Sequence, residues 1–156
     1  MTDTPARPDA GDACAEARLC AELLALGQGF SRWSLVLAVL AIAALIWGTP
    51  GPASLGALLV SLAGGAMAAY HALRVRLDAA LFDDWARRWM RPDAWPAEDL
   101  AAFDRALAGL QASKREPPAA RTLAQRCAGA RGMLMRQVLF TLLQTLSLLT
   151  AALVSA

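Results

Sequence analysis

Few residues in this chain have the types and spacing that chemistry needs, and the most suggestive group begins at His71. This is the only histidine among 156 residues, and Arg74 and Asp78 follow it three and seven positions later. Side chains at these separations share one side of a helix. An imidazole, a guanidinium and a carboxylate together could act on a phosphate or lipid headgroup, so a lipid-handling membrane enzyme is one hypothesis. The simpler interpretation is that His71 and Arg74 are interfacial residues that anchor a helix at a membrane surface.

A second set of polar residues lies in an apolar segment near the C-terminus. Thr141, Gln144 and Ser147 interrupt a run from residue 137 to 156 that has no charged side chain. If several copies associated, this intramembrane polar face could line a path, so a pore-forming or membrane-permeabilising oligomer is the main alternative function. More often, such residues hydrogen-bond to neighbouring helices or to the preceding turn of their own helix.

Other kinds of site are not indicated. The cysteines, at positions 14, 20 and 127, form no CxxC pair, and a single histidine makes a Cys/His zinc site improbable, so we expect neither metal nor cofactor. No glycine-rich phosphate loop or catalytic motif is present in the sequence. The net charge of +2, without a stripe of basic and aromatic residues, gives no indication of nucleic-acid binding. We therefore predict a protein that is not an enzyme.

The elements that carry these residues are dominated by uncharged apolar segments. Hydrophobic residues make up 57% of the chain and charged residues 18%, against about 25% in a typical soluble domain. Three stretches approach or exceed the ~20 residues that a helix needs to cross a bilayer. We expect a transmembrane hairpin over residues 30–73, with its turn near residues 48–54, and a third transmembrane helix over residues 137–156. Trp33 and Trp47 are expected at opposite interfaces of the first helix.

The basic residues predict the orientation. The turn near residues 48–54 has no Lys or Arg, whereas twelve of the 15 basic residues lie between positions 74 and 136 and the other three precede residue 33. Segments rich in Lys and Arg stay in the cytoplasm. We expect a multi-pass protein of a bacterial-type cytoplasmic (inner) membrane, with the N-terminus and residues 74–136 inside and the C-terminus outside.

The predicted cytoplasmic region, residues 74–136, reads as a helical stalk with a cap. The second transmembrane helix should continue to Arg91, before Pro92, with an apolar stripe of Leu73, Leu77, Leu81, Trp85 and Trp89. Residues 119–136 should form a matching extension of the third helix. Between them, one short helix should begin at Pro96, because proline is favoured at the first helical position.

The N-terminal segment divides into two predicted parts. Residues 1–11 should be disordered. Residues 12–29 should form an amphipathic helix and a hinge, with Asp12 as the N-cap and Leu19, Leu23 and Leu26 on the apolar face. The hinge is placed at residues 27–29, which read Gly-Gln-Gly.

A ladder of small residues marks the second transmembrane helix at every fourth position: Ala53, Ala57, Ser61, Gly65 and Ala69. Small residues at this spacing let two helix backbones approach closely. This helix-packing seam could join separate chains or could pack within one chain, and the second interpretation is the simpler. Two interpretations are also open for the tryptophans that follow this helix segment, which could contact either lipid or protein: Trp85, Trp89 and Trp95.

The sequence therefore predicts an all-α integral membrane protein with three transmembrane helices and a cytoplasmic helical stalk and cap. Its predicted function is that of a non-catalytic accessory or scaffold subunit acting through helix–helix association. The expected partners are the lipid bilayer and either further copies of the chain or a larger membrane-protein complex.

Overall fold

The computed structural model describes residues 10–91, 94–110 and 121–155, and every regular element in these ranges is an α-helix. The five helices are α1 (Ala10–Ala25), α2 (Gly27–Trp47), α3 (Pro52–Trp89), α4 (Pro96–Leu110) and α5 (Leu123–Ser155). Three helical stretches are long and apolar enough to cross a membrane: Gly11–Trp47, Pro52–Trp89 and Leu123–Ser155. The predicted all-α class and the three candidate transmembrane helices are confirmed.

The chain divides into two compact units. We call the first the three-helix unit, which comprises Leu23–Asp78 and Ala130–Ala156 and therefore most of α2, α3 and α5. We call the second the aromatic unit, which comprises Met1–Glu22 and Ala79–Gly129 and therefore includes α4. Predicted disorder at residues 1–11 falls mostly outside the described residues, as do residues 119 and 120, where the extension of the third helix was predicted to begin.

The three-helix unit buries many polar and small side chains together with a few larger apolar ones, such as Leu37, Leu58 and Val75, and exposes most of its large apolar side chains. Its buried polar side chains are Ser34, Ser54, Ser61, His71, Gln137, Thr141 and Gln144. Its exposed large apolar side chains include Leu35, Val39, Ile42, Ile46, Leu59, Leu142, Leu146, Leu149 and Leu153. In a domain that folds in water the interior is enriched in large apolar residues instead. This inverted arrangement is the main structural feature of the unit.

The aromatic unit has a core of stacked and edge-on rings. Trp85 and Trp89 of α3 stack with ring centroids 5.7 Å apart, and Phe103 of α4 meets Trp85 edge-on at 5.4 Å. The guanidinium of Arg126 lies 5.8 Å from the Trp85 ring and 5.2 Å from the Phe103 ring, and it also forms an ion pair with Asp104. Stacked rings and a partly desolvated cation are favourable contacts, so this cluster attaches α4 to α3 and α5 within the unit.

Two further contacts define the ends of helices in the aromatic unit. α4 begins at Pro96, as predicted, and Trp89 Nε1 donates a hydrogen bond to Asp99 Oδ2 in its first turn at 2.8 Å. α5 begins just after Thr122, whose Oγ1 accepts from the Gln125 amide while Gln125 Oε1 accepts from the Thr122 amide. This reciprocal pair is a capping box.

The N-terminal helix differs from its prediction in three respects. It begins at Ala10, so Asp12 lies in the first turn rather than at the N-cap. The hinge predicted at residues 27–29 is wrong, because these residues are helical and only Leu26, with φ −59° and ψ −26°, interrupts the helix. Leu19, Leu23 and Leu26 are exposed, whereas Ala17, Cys20, Ala21 and Leu24 are buried. Three of these four buried side chains are small, which permits close packing, and Leu24 is the exception.

The predicted stripe on α3 is only partly correct. Trp85 and Trp89 are buried, but Leu73 and Leu77 are exposed, and Val75 and Phe82 are buried in their place. A helix turns ~100° per residue, so each step of four residues overshoots one turn by ~40°. A stripe with strict spacing of four therefore winds around the helix and cannot face one neighbour along its whole length.

Candidate functional site: the polar interior of the three-helix unit

The central layer of the interior is built around the side chain of Gln144. Gln144 Oε1 accepts a hydrogen bond from Ser34 Oγ at 2.6 Å, and Gln144 Nε2 donates to the Ser34 carbonyl at 3.0 Å. Ser61 Oγ on α3 donates to the Gln144 carbonyl at 3.2 Å. Gln144 is fully buried, so these contacts satisfy an amide that would otherwise be costly to bury. One glutamine thus links α5 to both α2 and α3.

Glycines on α3 make room for this glutamine. A Cβ atom added to Gly65 would lie 2.7 Å from Gln144 Nε2, and one added to Gly64 would lie 3.4 Å from the Phe140 carbonyl. The backbones of α3 and α5 therefore approach closely at this layer. Small residues permit such an approach in helices that pack within membranes.

A second polar layer lies two turns away along α5, at Gln137. Its Nε2 donates to the Gly27 carbonyl at 2.7 Å. A Cβ atom on Gly27 would lie 3.0 Å from Leu134 Cδ1, 3.1 Å from Gln137 Oε1 and 3.1 Å from Val75 Cγ1. The three helices thus meet at Gly27. Gln137 Oε1 has no hydrogen-bond partner among the described residues.

The side chain of His71 lies inside the unit and not on its surface. It is only 5% exposed and stacks on Phe140 with ring centroids 5.5 Å apart and an interplanar angle of 12°. Its Nδ1 has no hydrogen-bond partner in the described part of the chain. Arg74 is exposed and Asp78 is partly buried. In the described ranges no hydrogen bond or ion pair joins His71 to either of them, so the three residues do not form a single site.

An apolar layer follows the Gln144 layer on the side away from Gln137. Ala41, Leu58 and Ala151 form a buried cluster, against which Leu45, Ala57, Leu62 and Leu148 pack. Beyond it, Ser54 Oγ donates to the Ala151 carbonyl at 3.2 Å and lies 2.7 Å from Ser155 Oγ. The apolar cluster interrupts the series of polar layers within the unit.

The small-residue seam is divided between the interior and the surface. Ser61 and Gly65 are buried against α5 of the same chain, and Ala57 is partly buried. Ala53 and Ala69, at its two ends, are exposed. The centre of the seam therefore packs within one chain.

The predicted intramembrane polar face is also mostly internal. Gln144 and Thr141 are buried, and Thr141 Oγ1 donates to the Gln137 carbonyl of the preceding turn at 2.9 Å. Ser147 is partly buried. Of the interfacial residues, Trp33, six residues after the start of α2, and Trp47, its last residue, are exposed.

Two residues of this interior, Ser34 and Gly27 on α2, were not predicted from the sequence to lie there. Both pair with a glutamine 110 positions later in the chain. A signal was present, because Gly27, Ser34 and Ala41 are seven apart, as are Gln137, Gln144 and Ala151. Seven-residue spacing in both helices is typical of a shared packing face.

Comparisons with known proteins add no relative from which a role could be inferred. No protein-family description, curated protein or solved structure matches the chain.

Proposed function

We propose that this chain is a multi-pass protein of a bacterial-type cytoplasmic membrane and serves there as a non-catalytic accessory or scaffold subunit. The observation that carries the proposal is the inverted three-helix unit, with amides and hydroxyls inside and large apolar side chains outside. Leu146 is 62% exposed and Leu35 is 67% exposed, and similar residues surround them. Soluble monomers rarely expose apolar patches larger than a few hundred Å². In a lipid environment these apolar side chains contact hydrocarbon, so their exposure from the bundle carries no cost in hydration free energy.

The distribution of arginine supports the orientation. The turn between α2 and α3 carries no basic residue, while residues 74–136 and the N-terminal segment carry all of them. By the positive-inside rule, the N-terminus and residues 74–136 are cytoplasmic, and the C-terminus lies outside. Residues 74–136 then form a cytoplasmic helical stalk, with α4 as its cap.

The contacts of Gln144 favour a scaffold over a pore. Lining a path between several chains would require Thr141 and Gln144 to face away from their own bundle. Both polar atoms of the Gln144 side chain are instead hydrogen-bonded to Ser34. Exposing it would break these bonds and open the packing at Gly65. A pore-forming oligomer therefore remains the less favoured alternative.

The position of His71 favours a scaffold over a lipid-handling enzyme. A catalytic imidazole must come within hydrogen-bond reach of its substrate. The His71 ring is instead stacked on Phe140 inside the unit. Its burial is consistent with a packing role at the cytoplasmic end of the bundle.

Association can be tested by purifying the tagged full chain from membranes in mild detergent and recording native mass spectra. We expect either an oligomer of this chain or a complex with another membrane protein in fixed stoichiometry. A monomer without a partner, from membranes expressing it at native level, would overturn the scaffold proposal.

Two substitutions then locate the association surface. Ala53→Leu and Ala69→Leu enlarge the exposed ends of the seam and leave its buried centre unchanged. If the seam joins chains, both should shift the mass distribution toward the monomer, whereas Leu146→Ile on α5 serves as a conservative control. Unchanged spectra would place the contacts elsewhere on the exterior.

A further inference from the structure

The three-helix unit carries an excess of arginine concentrated toward one end. In residues 23–78 and 130–156 the sequence has five arginines and a single acidic residue, Asp78. Four of these arginines are exposed near the layer where Gly27 meets Val75 and Gln137. We call them the arginine belt: Arg32, Arg74, Arg76 and Arg136.

The level of the belt follows from the buried contacts. Val75 Cγ1 and Gln137 Oε1 both lie 3.1 Å from the position of a Gly27 Cβ, so these residues share one layer. Arg74 and Arg76 flank Val75, and Arg136 precedes Gln137. Neighbouring residues on a helix are offset by ~1.5 Å along the axis and ~100° around it. Their side chains therefore leave the bundle at the level of this layer, pointing outward.

Arg32 completes the belt from α2. It lies five residues after Gly27, or about 7.5 Å along the helix axis at 1.5 Å per residue. A guanidinium on a flexible stem can reach back over that distance toward the layer of the other three. The belt thus includes residues from all three helices of the unit.

No arginine of the belt forms an ion pair with another of the described residues. The ion pairs of the described residues involve Arg18, Arg87, Arg88 and Arg126, and none includes a belt arginine. Arg74 lies near Asp78, which offsets part of its charge. The other three have no acidic residue of their own unit to neutralise them.

We propose that the arginine belt binds the phosphate groups of anionic phospholipids in the cytoplasmic leaflet, in preference to zwitterionic lipids. The inference rests on the proposed membrane location. Guanidinium groups bind phosphate oxygens through paired N–H donors, and each exposed base near an anionic surface adds roughly fivefold to binding. Zwitterionic headgroups also carry phosphate, but their ammonium groups cancel its attraction for the belt.

The preference can be measured on the full chain in detergent by native mass spectrometry, with phosphatidylglycerol and phosphatidylcholine of equal chain length added together. We expect retention of phosphatidylglycerol to exceed that of phosphatidylcholine by at least about fivefold, since several bases contribute. The double variant Arg76→Gln with Arg136→Gln should lose most of this preference. The matched control, Arg87→Gln with Arg88→Gln, removes the same charge from arginines that are paired with Asp83 and Asp84 and should retain it.

Failure of the inference is distinguishable from failure of the membrane proposal. Equal retention of the two lipids, or equal loss in belt and control variants, would overturn the belt as an anionic-lipid site and leave membrane insertion intact. A chain that is recovered in the soluble fraction of cells, without detergent, would overturn both. Arg76→Lys with Arg136→Lys should restore part of the preference, because the charge remains while the paired donors are lost.

Discussion

Ser34 of α2 and Gln144 of α5 exchange two hydrogen bonds, one through the serine hydroxyl at 2.6 Å and one through the serine carbonyl at 3.0 Å. Gly27 and Gln137 pair at the same separation of 110 positions, one heptad earlier in each helix. Constant separation means that α2 and α5 run parallel and in register. The glutamines fix this register, since a shift of one helix along the other would leave both amides unpaired in the interior.

Replacing Gln144 should destabilise the three-helix unit. Gln144→Leu removes both side-chain bonds and leaves the Ser34 hydroxyl without its acceptor, and we expect a loss of about 1–2 kcal/mol in the free energy of unfolding. This loss can be measured by unfolding the protein in mixed micelles through titration with a denaturing detergent. In a double-mutant cycle with Ser34→Ala, the coupling energy should be about 0.6 kcal/mol or more. A coupling energy of zero would mean that the bond between the Ser34 hydroxyl and Gln144 Oε1 does not stabilise the pairing of α2 with α5.

Gly65→Ala should destabilise the three-helix unit, whereas Gly56→Ala should not. The added methyl group at position 65 would lie 2.7 Å from Gln144 Nε2, but at position 56 it would meet nothing within 4 Å. We expect about 1–3 kcal/mol of destabilisation for the first substitution from overpacking. Gly56→Ala is the matched control on the same helix, and equal effects of the two would contradict the described packing of α3 on α5.

The tryptophans of the aromatic unit should differ in access to water. Trp85 and Trp89 are 3% and 2% exposed, whereas Trp95 is 52% exposed. In variants that retain one tryptophan each, aqueous iodide should quench the fluorescence of Trp95 strongly and that of Trp85 and Trp89 weakly. Strong quenching of Trp85 would show that its contacts with Phe103 and Arg126 are not formed in solution.

Arg126 should not tolerate replacement by lysine. Its guanidinium contacts two rings and Asp104 at once, and an ammonium group cannot reproduce this flat geometry. We expect Arg126→Lys to weaken the attachment of α4 by about 2 kcal/mol, the value of a desolvated cation–π contact. Amide hydrogen exchange of residues 96–110 should accelerate. The control Arg87→Lys alters an exposed i,i+4 pair, and comparable acceleration there would argue against a specific role for Arg126.

Much of the fold was predictable because the length of an uncharged segment and the position of a helix breaker can both be read from the local sequence. Pro96 begins α4 as predicted, and α3 continues to Trp89, two residues before the predicted end at Arg91, because no proline lies between Pro52 and Pro92. The turn between α2 and α3 follows from Gly48 and Pro50 in the same way. These features depend on neighbouring residues alone.

The contacts were less predictable because they depend on which face of each helix is buried. Leu19, Leu23 and Leu26 were predicted to form the apolar face of the N-terminal helix, yet they are exposed, whereas Ala17, Cys20, Ala21 and Leu24 are buried. In lipid the largest apolar side chains need no burial, so hydrophobicity does not identify the inner face. The seven-residue spacing shared by Ser34, Ala41, Gln144 and Ala151 was the better guide. Pairing over 110 positions cannot be read from either helix alone.

The central claim is that the three-helix unit spans the membrane with its arginine-rich end inside. It is tested most directly by labelling single cysteines in intact bacterial cells, in a chain whose three native cysteines are replaced by serine or alanine. With a membrane-impermeant maleimide, Thr49→Cys in the turn after α2 should be labelled in intact cells. Ala101→Cys in α4 should be labelled only after the membrane is permeabilised. Labelling of both positions in intact cells, protection of both, or labelling of Ala101→Cys alone would contradict the proposed topology.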